Sequence, residues 1–171
     1  INTKEPFTPE NEVVAKAEFN RMLPNIPITY GMFKELSKNK AWGVFQSATG
    51  VLISNKANKG TTYHEAWHVV SNLGLSPRQL KTLYDSVRKE LGDNTITDAQ
   101  AEEILADDFM NWKISGKSEI FAATEVKRNA FEKILDFITK MWNLVFNTKD
   151  LTALQVYAKI NNGGYSRLSL N

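Results

Sequence analysis

The spacing of apolar residues divides this chain into a helical start, a short stretch of strands and a long helical remainder. FTPENEVVAKAEFNRML carries a helical pattern, with Thr8 as N-cap and Pro9 at the first helical position. That helix is expected to stop before Pro24. PNIPITYG is β-branched and proline-flanked, which predicts a loop entering a strand near a sheet edge. AWGVFQ and GVLISN are apolar runs around SATG and predict a hairpin.

From residue 60 onward the period is helical. The first of these helices contains GTTYHEAWHVV and is expected to end near Gly74. In SPRQLKTLYDSVRKELG, Ser76 is the cap, Pro77 opens the helix, and Leu80, Leu83, Tyr84, Val87 and Leu91 recur at helical spacing before Gly92. TDAQAEEILADDFMNWK opens with a capping box of Thr97 and Gln100. A long helix over 122–146 is predicted to carry a wide apolar face that includes Phe131, Ile134, Leu135, Ile138 and Trp142. DLTALQVYAKI predicts a last short helix ending in the turn NNGGYS.

Helix, small sheet, then helices predicts an α+β fold with a short, mostly antiparallel sheet packed against several helices. A single domain over 1–171 is expected, its core at 8–147 and a C-terminal helix and tail at 148–171. A start without Met suggests a piece of a larger protein.

Composition narrows the function classes. With 42% hydrophobic and 23% charged residues the chain reads as globular, and its net charge of +2 comes with interspersed acids and bases. A nucleic-acid partner is therefore not expected, since that needs clustered Lys and Arg. No apolar run approaches the roughly 20 residues of a membrane span. Neither a membrane partner nor secretion by a signal peptide is expected, because the polar start has no basic-then-apolar leader. Absent cysteines exclude disulfides and thiolate metal sites. Trp42, Trp67, Trp112 and Trp142 read as core aromatics.

The chemistry concentrates on two histidines, the only ones in the chain. His64 and His68 are four apart on one helix face, close enough to share a metal ion. Glu65 points about 100° round the helix, where a general base for a metal-activated water belongs. Ala66, Val69, Val70 and Leu73 can anchor the other face. The plain alternative is a pair of ordinary histidines. With no third His and no Cys, a third ligand must be a carboxylate, and AEEILADDF supplies Glu103. Asp107, one turn on, can accept the other ring N–H of a ligand histidine. Glu102 points away toward the side of Lys113 and reads as solvated, so Glu102→Ala is expected to matter little. The alternative for Glu103 and Asp107 is an acidic surface stripe.

HEAWH and EEILADDF together resemble the zincin metallopeptidases whose third ligand is a glutamate. The ExxADxF form is similar to that of ImmA/IrrE-type peptidases. The stretch from AWGVFQ to NLGLS looks closer still to peptidase modules inside very large proteins of tailed phages, including crAss-like phages, and YAKINNGGYS is similar to segments that follow them. The resemblance covers residues 8–165 and implies Zn²⁺ held by His64, His68 and Glu103, with Glu65 as base and Asp107 in support. It implies a peptide or protein substrate bound along an edge strand, expected to be GVLIS, and other domains of a parent protein as partners. It places the protein in the cytoplasm of an infected or host bacterium, or in a virion. Many such enzymes use a separate His or Tyr to stabilise the oxyanion. Here only Tyr or Arg could do so, with Tyr63 and Tyr84 as the nearest candidates. The rival expectation is an inactive zincin-like module that binds metal or docks a partner, with 122–146 as its surface.

Overall fold

The computed structural model describes residues 8–31, 43–46, 50–54, 57–121 and 151–170. The expected long helix over 122–146, and with it Trp142, lies outside them, as does Trp42. Among the described residues the order is α1 (Glu12–Met22), β1 (Ile28–Gly31), β2 (Gly43–Gln46), β3 (Gly50–Ser54), α2 (Thr61–Leu73), α3 (Pro77–Leu91), α4 (Asp98–Ser115) and α5 (Ala153–Asn161). The fold is α+β, a small sheet set against helices, and no described helix is long and apolar enough to cross a membrane.

The caps of three helices fall where their sequence signals lie. Ser76 with Gln79, Thr97 with Gln100 and Thr152 with Gln155 each form a reciprocal capping box. Each box satisfies two backbone N–H groups that the helix itself cannot, a contribution of about 1 kcal/mol per cap. Gly92 and Gly116 close α3 and α4 in left-handed conformation. The start of α1 differs from expectation. Its N-cap is Asn11, whose side chain accepts from the Val14 N–H, while Pro9 pairs with Asn58 in an isolated bridge.

That displacement has a purpose at the other end of the contact. α2 begins at Gly60, in left-handed conformation and without a side-chain cap of its own. Glu10 provides the missing acceptor, taking the Thr62 N–H at 3.0 Å. The carboxylate also sits at the positive end of the α2 dipole. Backbone bonds Glu10 to Ala57 and Lys59 to Thr8 hold the strap in place.

The sheet has the order β1-β3-β2. β2 and β3 are the expected hairpin strands, with Phe45 opposite Val51, and β1 is an edge strand as expected. β1 runs parallel to β3, so the sheet is mixed rather than mostly antiparallel. GVLIS is β3, the central strand, and not the edge that was expected to receive a peptide. Its buried Val51 and Ile53 belong to the core. Among the described residues β2 is the edge strand next to α2.

The core lies between the sheet and the helices and includes Phe19, Met22, Val51, Ile53, Trp67, Phe109 and Tyr157. Trp67 is fully buried, as expected, its ring 5.6 Å from that of Tyr157 in edge-to-face contact. Each such side chain contributes about 1.5–3 kcal/mol of burial.

Candidate metal centre

α2 presents two faces of opposite character. Ala66, Trp67, Val69 and Val70 are fully buried. His64 and His68 lie on the other side, facing α4, with side chains 16% and 14% exposed. Their Nε2 atoms are 3.1 Å apart.

Glu103 closes the triangle. One carboxylate oxygen lies 3.1 Å from His64 Nε2 and the other 3.2 Å from His68 Nε2. A tetrahedral ion with ligand bonds of about 2.0–2.1 Å keeps its donor atoms about 3.3 Å apart. The three groups therefore form a triangle of the size that one such ion occupies. Glu65 also lies close, within 4.8 Å of the imidazole nitrogens. Its carboxylate faces the cleft beside the triangle and is hydrogen-bonded by the Phe45 backbone amide.

Each imidazole is oriented from behind. Asp107 Oδ1 lies 2.7 Å from His64 Nδ1, as the spacing of Glu103 and Asp107 predicts. His68 Nδ1 lies 3.0 Å from Glu102 Oε1. Glu102 is thus not solvated. It also accepts hydrogen bonds from Ser71 and, at 2.8 Å, from the Tyr84 hydroxyl. The physical reason is that α4 packs on both α2 and α3, so a side chain about 100° round from Glu103 meets α3 and not water. The expectation that Glu102→Ala would matter little is reversed. Loss of a group that orients a metal ligand lowers affinity by about 10–100-fold. Competition with a chromophoric chelator should show that loss for Glu102→Ala; an unchanged affinity would assign Glu102 a structural role only.

The electrostatics follow from this crowding. Burial by itself would lower the His64 pKa, but hydrogen bonds to Asp107 and Glu103 outweigh it and raise it to about 9. His68, likewise opposed by burial, is raised to about 10 by Glu102 and Glu103. Hydrogen bonds from the two imidazoles hold Glu103 far below the usual carboxylate range. Burial pushes Glu65 up, against the pull of both histidines.

The two tyrosines expected as oxyanion stabilisers do other work. Tyr84 spends its hydroxyl on Glu102. Tyr63 packs beside the core with Lys113 5.2 Å from its ring centroid, and it does not line the cleft.

In front of the triangle is an open cleft of about 340 Å³, bordered by Gly43 and Phe45 of β2 and by Asn72 of α2. Sequence reasoning missed all three. Gly43 is needed there: a Cβ would lie 2.8 Å from Thr61 Cγ2 and 3.0 Å from Glu65 Cγ. Without it β2 could not press against α2 beside Glu65. Asn72 had a legible signal, since it continues the i, i+4 series of His64 and His68.

The arrangement can bind a divalent cation through two imidazoles and a carboxylate, and it sets a further carboxylate beside it. No known protein family, curated protein or solved structure matches this chain.

Proposed function

We propose that this domain is a zinc-dependent endopeptidase. The observation that carries the reading is the triangle of His64, His68 and Glu103, open to a cleft in which Glu65 stands beside it. Two imidazoles and one carboxylate suit Zn²⁺ and leave a fourth position for water. The resemblance of HEAWH and EEILADDF to glutamate zincins points the same way. A bound zinc ion supplies a water whose pKa is lowered toward 7 and a positive charge for the carbonyl oxygen. His64, His68 and Glu103 hold the ion, and Asp107 and Glu102 fix the two rings. Glu65 takes a proton from the attacking water and delivers it to the departing amine. The peptide lies in the cleft beside β2, whose outer edge pairs with no strand among the described residues, although the Phe45 amide of that strand is taken by Glu65. Interdomain linkers of a larger parent protein are the first substrates to test.

A second reading has one observation behind it. Among the described residues, no tyrosine hydroxyl, Lys or Arg lines the cleft to stabilise an oxyanion. A domain that binds metal or docks a partner, without hydrolysis, is consistent with that.

Zinc titration into metal-free protein separates the readings. One equivalent should bind, with proton release at neutral pH, because imidazoles with pKa values of about 9 and 10 must lose their protons to serve as ligands. Cleavage of a quenched peptide library should appear with that equivalent and vanish with a chelator. No uptake of zinc would overturn the peptidase reading and leave a docking module without metal, and uptake without any cleavage would leave the metal-binding module.

A further inference from the structure

We infer that Asn72 is the residue that holds the substrate backbone on the α2 side of the cleft. This rests on the peptidase reading and adds to it a subsite that neither the histidine motif nor its carboxylates contain.

The argument begins with what the cleft lacks. A peptide in an extended conformation presents both N–H and C=O groups. Of the side chains that line the cleft, Glu65 and Glu103 are carboxylates and accept only, and Gly43 and Phe45 offer no polar side-chain atom. The Nε2 atoms of His64 and His68 face the metal position. Asn72 is the remaining lining residue, and its amide both donates and accepts.

Its orientation is fixed. Asn72 Nδ2 donates to the His68 carbonyl oxygen at 2.7 Å. That bond identifies the amide nitrogen, because the oxygen could not face a carbonyl. It uses one N–H and leaves the second N–H and the carbonyl oxygen to a ligand. The side chain is exposed although it belongs to a helix whose other face is core.

The position also suits a peptide. On the α2 wheel Asn72 falls about 40° from His68 and about 20° from Glu65, on the face that carries the chemistry. It lies about 6 Å further along the helix axis than His68. An extended chain advances about 3.3 Å per residue. A peptide that runs parallel to α2 with its scissile carbonyl at the metal position would reach Asn72 about two residues away. With β2 on one side and Asn72 on the other, the backbone is gripped from both.

The test uses the zinc-loaded domain and a quenched peptide that it cleaves, together with the same peptide trimmed one residue at a time from either end. For Asn72→Ala, KM for the long peptide should rise about 3- to 10-fold, the worth of one neutral hydrogen bond, with kcat within about twofold. Asn72→Asp, which keeps the shape and loses the donors, should do the same. Trimming past the subsite should raise KM for wild type and leave that of Asn72→Ala unchanged. A purely structural role would lower thermal stability and act alike on every peptide length. Equal KM in wild type and Asn72→Ala at all lengths overturns the inference and leaves the peptidase reading standing; so does a loss confined to kcat. Failure of the wild-type zinc protein to cleave any peptide overturns the peptidase reading, and this inference with it.

Discussion

Glu65→Gln yields a domain that folds, keeps its zinc and cleaves peptide at least about 100-fold more slowly, the low end of what a positioned general base contributes. Glutamine keeps the size of the side chain and one acceptor for the Phe45 amide, but it cannot take a proton. Glu65 is only 5% exposed, so the substitution also replaces a buried acid by a neutral group of like shape, and folding should tolerate it. The carboxylate lies within 4.8 Å of the imidazole nitrogens, and a role as ligand is the competing idea. Zinc content decides between them. Loss of metal together with activity would make Glu65 a ligand, whereas retained metal and retained cleavage would remove it from the chemistry altogether.

Glu103→Ala is expected to lower zinc affinity by more than about 100-fold, beyond the range for groups that only orient a ligand. Glu103 contacts both histidines, at 3.1 and 3.2 Å, and among the described residues no other carboxylate bridges them. The metal-free protein gives an independent readout. The histidine pKa values are raised, so their ion pairs stabilise the fold fully below about 6.5, the ordinary imidazole value, and are lost as pH rises through about 9 and 10. Without Glu103 both histidines lose a partner, and NMR titration should place their transitions at lower pH. Unchanged zinc affinity and unchanged titrations would transfer the third-ligand role to Glu65.

Local signals carried much of the structure, and long-range contacts account for what the sequence concealed. Ser76, Thr97, Gly92 and the spacing of His64 and His68 act within one or two helical turns, and each lies where the residues predict. Glu103 and Asp107 are likewise one turn apart, and the two contact His64 together. Glu102 was misread because a helix wheel gives a direction but does not say which neighbour stands there. In the fold that neighbour is Tyr84 of α3. GVLIS was expected as the peptide-binding edge from the family resemblance, yet strand order depends on β1, which arrives from residues 28–31. Thr8 and Pro9 have the chemistry of a helix start, but the bridge to Asn58 and the Glu10 bond to α2 draw them elsewhere.

Asp107 and Asp108 show how tightly α4 is committed. Asp107 faces His64, while Asp108 is buried and accepts from Ser118, from the Glu119 backbone N–H and from the Tyr157 hydroxyl of α5. Neighbouring residues on a helix differ by about 100° in direction. A single-residue insertion or deletion between Glu103 and Asp108 would therefore break the contacts of Glu103 and Asp107 with the histidines or the anchoring of α5, and no local adjustment could keep both. The exposed connection at residues 93–95, between α3 and α4, carries no such double duty. Length variation among descendants of this domain should collect in that connection, and α4 should keep its register even where its residues change.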